Sequence, residues 1–376
     1  MADPGVLDVL AYQVLSAAYD SQDMPTDFWF TDRFYKNPKP VDSDNYRILF
    51  YNKMRRPSPL NKPGAKAKPL TTGKATEKEA TLFSAFNVID LPAIIFTALQ
   101  EPDSYALQDM GKTELQRILA EGALRDKYLI EATIGSIMNF GAVSVNAGGD
   151  VVYPTVNATT GALTIASGAQ LLCDMGVSNN NRGNLNGLIT QLWSDPNAKI
   201  GDQLDAIRNQ SEAQGTKPPT KIKAHTLARR WLRANYQFQD WAVRNNVAQD
   251  SIMKGDMYPN LWGFDWEFFG GKFETNNTDD STANSTQDLI PTTQVIIHPD
   301  DGPWIEAAAG LTLVPTKIGL AKDLNELLAN MAKMYGPYAY AAMEHNPPKL
   351  QLYSGNMFGV NFADPRPIYM PTVFAS

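Results

Sequence analysis

The chain has 376 residues, 43% of them apolar, with a formal net charge of −7, three histidines and one cysteine. That is enough apolar material for one large domain or two or three smaller ones, and the negative balance argues against a general nucleic-acid binder, though not against a protein that merely encloses nucleic acid. The lone Cys173 excludes an intramolecular disulfide and a cysteine-rich zinc site, and it leads to the expectation of a reducing compartment.

In chain order, Val6 to Tyr19 reads as a short amphipathic segment and is followed by the aromatic cluster Phe28, Trp29, Phe30, Phe34 and Tyr35. With few sequence neighbours to cover it, such an arm must dock on its own body or on another chain. No apolar run approaches the ~20 residues of a membrane helix, and no charged and then apolar leader opens the chain, so a soluble protein without a signal peptide is expected. Tyr46 to Tyr51 is strand-like. From Lys53 to Lys78 there are eight basic residues against the single acid Glu77, with Pro57, Pro59, Pro63 and Pro69 interrupting any regular ladder. This +7 segment leaves the rest of the chain at −14. A solvated linker would account for that composition. A strand leading in and the run Ala80 to Ile89 leading out instead suggest a long β-hairpin loop, and its charge makes an acidic neighbouring copy a natural surface for it.

Thr113 to Phe140 is the longest helical pattern. Leu115, Ile118, Leu119, Ala123, Leu129, Ile130, Ile134 and Ile137 share one side, and Glu114, Arg117, Glu121, Arg125 and Glu131 the other. Thr113 suits the N-cap, and the helix would span roughly 40 Å. Asp126 interrupts the apolar stripe while Leu124 and Tyr128 face the polar side, as if the helix also touched a second copy. Ala142 to Pro154 reads as a hairpin turning at Gly148-Gly149, and Tyr153 to Ala169 as short extended segments. The polar run Asn179 to Asn186 marks a boundary. Beyond it, Asp202 to Ala213 is helical, Lys221 to Ala224 a strand, and Leu227 to Asn235 a helix capped by Thr226 that carries Arg229, Arg230 and Arg233. Trp262 to Phe273 suggests paired strands turning at Gly270-Gly271, Asn276 to Gln287 a polar loop, Gln294 to Ile297 a buried strand and Ala321 to Tyr335 a helix. The last thirty residues are short extended segments whose simplest partner is the Ala142 to Pro154 hairpin, leaving Leu185 to Asn346 as an insertion.

Residues that could carry chemistry are sparse. His225, His298 and His345 lack the spacing of a metal-binding helix, and lone histidines are usually structural. Asp300-Asp301 sits in a string of turn composition, and Asn276 to Asp280 lacks the alternating ligands and closing Glu of a calcium loop. Cys173 reads as a buried thiol. No Gly-x-Ser-x-Gly and no phosphate-loop lysine occurs, and Arg229, Arg230 and Arg233 suit a solvated helix face with ion pairs better than an anion site. No catalytic, cofactor-binding or metal-ligating residue is therefore assigned.

The order of aromatic arm with Met24-Pro-Thr-Asp-Phe-Trp-Phe, basic finger, long helix, Val-Ser-Val hairpin, inserted body, and a C-terminus running from Gln351-Leu-Tyr-Ser through Ala363-Asp-Pro-Arg-Pro to Val373 resembles the lambda-like major capsid proteins of tailed phages. The resemblance implies an α+β chain of the Hong Kong 97 type capsid fold. It implies an arm (1–45), an extended loop (46–90), a peripheral domain (91–184 with 347–376, spine helix 113–140) and an axial domain (185–346). It further implies a non-catalytic shell subunit, without cofactor, that assembles as pentamers and hexamers around double-stranded DNA, in the virion and, during assembly, in the host cytoplasm. Arg55, Arg56, Lys62, Lys66 and Lys68 of the loop are the expected inter-subunit contacts. A scaffold, a portal and a decoration protein are the implied partners, with no membrane and no sequence-specific DNA contact. The competing readings are an α+β hydrolase using Asp/Glu pairs and a nanocompartment (encapsulin-like) shell of the same fold.

Overall fold

The computed structural model describes residues 11–21, 28–42, 45–51, 75–91, 105–245, 257–275, 285–300, 304–316, 331–345 and 348–375. In chain order these form helices α1 (Tyr12–Asp20) and α2 (Phe30–Phe34), strands β1 (Lys39–Val41), β2 (Asn45–Tyr51), β3 (Ala75–Thr81) and β4 (Phe83–Asp90), and the long helix α3 (Tyr105–Phe140). Next come β5 (Ala142–Val145), β6 (Thr155–Val156), β7 (Leu163–Thr164), β8 (Gln170–Asp174), β9 (Arg182–Gly183), α4 (Ile200–Ala213), β10 (Lys221–His225), α5 (Ala228–Ala234) and α6 (Tyr236–Arg244). The remaining strands are β11 (Met257–Leu261), β12 (Phe264–Phe269), β13 (Lys272–Thr275), β14 (Ser285–Asp288), β15 (Val295–His298), β16 (Ile305–Pro315), β17 (Met331–Tyr335), β18 (Pro337–His345), β19 (Pro348–Phe362) and β20 (Met370–Pro371). They divide into two units.

The first unit comprises Met1–Tyr46, Thr81–Ile134 and Ala307–Val360. Its six-stranded sheet is built on β19, which pairs antiparallel with β18 (Tyr353 opposite Tyr340) and with β4 (Ser354 opposite Asn87); β16 extends it and carries β17 and β1. One face of this sheet buries Ala339, Ala341 and Leu352 against Leu15 and Tyr19 of α1 and Leu115, Ile118, Leu119 and Ala123 of α3. Gly355 permits the close approach of three strands, because a Cβ there would collide with the Ala85 carbonyl oxygen and lie 2.7 Å from the Tyr338 hydroxyl.

Helix α3 begins at Tyr105, eight residues before the expected start, so Thr113 lies inside it and caps nothing. No proline stands between Tyr105 and Phe140, and the buried Gly111 is tolerated within the helix. Asp126 has a partner within the same chain: the Tyr19 hydroxyl donates to its Oδ2 and Asn87 Nδ2 to its Oδ1 at 2.5 Å. Tyr128 packs edge-on against Phe28 at 4.7 Å. Glu131, assigned to the polar side by periodicity, is wholly buried. Its Oε1 accepts the N–H groups of Trp29 and Phe30 at 2.7 and 2.6 Å, and its Oε2 accepts the N–H and hydroxyl of Thr31 at 2.7 and 2.6 Å. One carboxylate thus satisfies the opening N–H groups of α2, which an α-helix leaves without internal partners.

The second unit comprises Arg47–Ala80, Gly135–Glu306 and Asn361–Ser376. Its four-stranded sheet runs β11-β12-β10-β15, with β10 and β12 parallel and the other pairs antiparallel. Strict alternation sends Ile222 and Ala224 into a core with Leu204, Ile207, Trp193, Trp266, Phe238 and Tyr369, while Lys223 on the opposite face pairs with Glu267 at 2.8 Å, both buried.

Several pairings differ from expectation because partners distant in sequence decide them. The C-terminal strands do not join the Ala142 to Pro154 segment: β19 lies between β18 and β4, and β20 pairs with β9. Strand β5 pairs with β8, and the turn at Gly148-Gly149 is closed by the antiparallel bridge between Val145 and Val151 and by the N–H groups of Asn146 and Val152 donating to the carbonyls of Asp150 and Ser144. Gly270-Gly271 makes no hairpin; β12 stays in the four-stranded sheet and β13 pairs with β14. Met331–Tyr335, expected to end a helix, is strand β17 on β16, and the rest of that expected helix, 321–330, lies outside the described residues. Residues 307–345, which sequence reading puts in the insertion, give β17, β18 and most of β16 to the first unit's sheet.

Two predictions follow from the anchors on α3. Burial raises the Asp126 carboxyl above its ordinary 3.8, overcoming the opposing hydrogen bonds from Tyr19 and Asn87. A carboxyl whose folded-state pKa exceeds its unfolded value contributes stability that is full below 3.8 and lost as pH rises through the raised value. The melting-temperature difference of Asp126→Asn minus wild type should therefore become more positive between pH 4 and 7; a flat difference would contradict the burial effect. Glu131→Ala strands four buried donors and should lower unfolding free energy by roughly 3–5 kcal/mol, measured by urea denaturation. A loss under about 1 kcal/mol would show that the arm does not depend on this carboxylate.

Candidate inter-subunit surface

The expected contact residues Arg55, Arg56, Lys62, Lys66 and Lys68 lie outside the described residues, but the base of their segment is defined. Strands β2 and β3 form a two-stranded ribbon whose exposed faces carry the Arg47–Glu77 ion pair at 2.9 Å. Lys78 counts by sequence among the finger's positive charges, yet it is half-buried. Its Nζ donates to the carbonyls of Met175 at 2.6 Å and Phe362 at 3.2 Å, and burial pulls its pKa below the usual lysine value. It fastens β3 within the second unit, a role that no feature of the surrounding sequence announces. The charge of the finger proper therefore lies in residues 53–74, which hold seven basic residues and no acid.

The groups that could have served chemistry are engaged elsewhere or apart. His298 is buried with Nδ1 2.7 Å from the Pro299 carbonyl and its ring 5.0 Å from that of Trp304; burial, and then the charge of Lys223, hold its pKa well below the ordinary value. His225 Nδ1 accepts the Leu227 N–H at 3.1 Å, and Nε2 stands 3.7 Å from Asp288. His345 lies in β18. Asp300 pairs with Lys221 at 2.8 Å, and its N–H donates to Thr220 Oγ1 at 2.9 Å, as a turn residue would; Asp301 lies outside the described residues. Arg229 and Arg230 lie over the rings of Phe268 and Trp231, each at 5.1 Å. Cys173 is partly exposed, not buried, and its neighbours Leu171 and Leu172 are exposed; among the described residues β8 pairs with β5 alone.

Among the described residues, no three His, Cys, Asp or Glu side chains are placed to hold a metal ion, and no helix is long and apolar enough to cross a membrane. A cavity of about 230 Å³ in the first unit is lined in part by Tyr19, Tyr35, Ala123, Asp126, Ile130 and Asn356. Two acids line it: the buried Asp126, already held by Tyr19 and Asn87, and the exposed Asp20 at the end of α1.

No protein-family profile matches the chain, and no curated protein matches it in sequence. Solved structures do match. A protein described as the capsid protein of a prophage (E. coli CFT073) aligns with a TM-score of 0.51 at 12% identity, covering 97% of this chain and 99% of that one. The mature capsid of bacteriophage PhiM1 aligns at 0.44 and 11%, covering 94% and 89%, and the capsid of cyanophage P-SCSP1u at 0.43 and 9%, covering 94% and 91%. The prophage protein carries the comparison, and it does so at the level of fold and over the whole length of both chains. With a long helix, a sheet centred on β19 and the two-stranded ribbon of β2 and β3, the chain has the Hong Kong 97 type capsid fold.

Proposed function

We propose that the chain is the major capsid subunit of a tailed phage of the lambda-like branch, assembling as pentamers and hexamers into an icosahedral shell around double-stranded DNA. The observation that carries this reading is the two-way match in fold, 97% of this chain against 99% of a prophage capsid protein. The polypeptide supports it in physical terms. A shell built from one protein must accept slightly different angles between copies while each subunit keeps its shape. Helix α3 and the sheet on β19 supply the fixed shape, and the Pro-interrupted basic segment supplies reach.

In this reading residues 1–45 are the arm, 46–90 the extended loop, the sheet on β19 with α3 the peripheral domain, and the body from residue 185 to 306 the axial domain. Arg55, Arg56, Lys62, Lys66 and Lys68 touch a neighbouring copy, whose negative charge attracts them. Scaffold, portal and decoration protein are the further partners. DNA is enclosed without being read, as a net charge of −7 suits. The subunit passes from the host cytoplasm into the virion.

Size-exclusion chromatography with light scattering, followed by negative-stain microscopy, should show pentamers, hexamers or megadalton shells. A small oligomer with hydrolytic activity would overturn the assignment, and shells filled with a cargo enzyme in place of DNA would move it to a nanocompartment. Removal of residues 53–74, which spares Lys78, should leave the melting temperature unchanged while abolishing particles; normal particles from that variant would refute the role of the finger.

A further inference from the structure

The cavity of about 230 Å³ in the first unit has walls whose chemistry can be followed from the sequence. Ala123, Asp126, Lys127 and Ile130 stand three, four and seven residues apart, so one face of α3 forms one wall. On β19, alternation puts Leu352, Ser354 and Asn356 on a common face. Leu352 enters the core with α1 and α3, Ser354 stands opposite Asn87, whose amide donates to Asp126, and Asn356 comes next, at the cavity. Tyr19 and Tyr35 bring aromatic rings from the N-terminal segment. A further wall consists of residues too small to fill the space. Gly336 holds a φ of +78°, and a Cβ there would stand 3.6 Å from that of Ala309 and 3.8 Å from Asn356 Oδ1, in ordinary contact. Asn356 Oδ1 thus looks onto the space beside Gly336.

These walls offer acceptors. Their hydroxyl donors are directed at groups of the chain itself: Tyr19 donates to Asp126, Tyr35 to the Ala308 carbonyl at 3.3 Å, Tyr335 to Asp42 and Thr31 to Glu131. Asn356 is only 6% exposed, and its Oδ1 accepts no hydrogen bond among the described residues. Each Asp126 oxygen takes one hydrogen bond and keeps a second lone pair. Asp20 adds a second acid, against Lys127 as the one base among the lining residues. A fitting ligand therefore brings donors and positive charge. A hard metal ion needs six or more oxygens around it, which walls of alanine, isoleucine and proline do not supply. An apolar cavity of about 150 Å³ takes a benzene ring, so this one has room for such a ring with a short polar tail. We propose that the cavity binds a small primary amine with an apolar body, its ammonium donating to Asn356 Oδ1 and Asp126 and its body packed among Tyr19, Tyr35 and Ile130. Charge-assisted bonds of this kind are the strong ones, and rings favour a nearby ammonium. The inference stands apart from the shell reading, since it needs only one folded copy.

The test titrates 2-phenylethylamine into the full-length protein by isothermal calorimetry and follows thermal unfolding at saturation. Two compounds of nearly the same shape serve as neutral and anionic counterparts, 2-phenylethanol and 3-phenylpropionate. The amine should bind about tenfold or more tightly than either, and should raise the melting temperature by about 2 °C or more. Asn356→Leu, close in shape, removes the unpaired acceptor. It should keep or raise the melting temperature of the protein alone while weakening amine binding about tenfold. Equal affinity for amine and alcohol, tighter binding of the carboxylate, or no binding of the amine up to about 10 mM overturns the proposal. Amine affinity unchanged in Asn356→Leu overturns it as well. The comparison of the three compounds on the wild-type protein decides the matter even if that variant does not fold. Neither measurement reads particle formation, so failure here leaves the shell reading untouched.

Discussion

Two carboxylates on one helix decide which limbs belong to the subunit. Asp126 and Glu131 of α3 are both buried, and each receives donors from the N-terminal segment: Tyr19 on the first, Trp29, Phe30 and Thr31 on the second. A carboxylate removed from water is tolerated only when its lone pairs are filled, and here most of the filling groups come from the arm, with Asn87 of β4 completing Asp126. The arm and the helix therefore need each other. Without the arm, Glu131 would be a buried charge with nothing to accept from; without Glu131, the first turn of the five-residue helix α2 would lose its acceptors.

The finger is held by a different logic. Its root is a two-stranded ribbon fastened by Lys78 to two backbone carbonyls, and its charge begins beyond that anchor. One limb is bound by short charge-assisted hydrogen bonds in a buried place, the other by a single half-buried ammonium at its base. The first arrangement ties the arm to the long helix of the first unit; the second fixes the root of the basic segment within the second unit.

The apparent chemical equipment of the chain is structural for the same reason that its sheets are stable. Lys223 and Glu267 pair on the face of β10 and β12 opposite the apolar core, His298 sits against Trp304 with its ring nitrogen on a carbonyl, and Asp300 holds Lys221. Lys223 with Glu267, His298 with the Pro299 carbonyl and Asp300 with Lys221 are each matched by a neighbour, which stabilises the fold.

Much of this was legible in the amino-acid order. The 3.6-residue period of Leu115 to Ile137 announced α3, and the short runs Lys221 to Ala224 and Gln294 to Ile297 announced β10 and β15. These are local signals, produced by residues within a few positions of one another, and local sterics and charge suffice to write them. Strand partners were not legible: β19 lies between β4 and β18, separated from β4 by more than 250 residues, and Met331–Tyr335 became a strand because β16 offered it a ladder. Periodicity set Asp126 within the apolar stripe but not its partners, and it put the buried Glu131 on the polar side, since a carboxylate at a helical position looks solvated until a distant segment arrives with donors. Element type follows from neighbours in sequence, whereas pairing, register and the burial of charge follow from neighbours in space, which only the folded chain brings together.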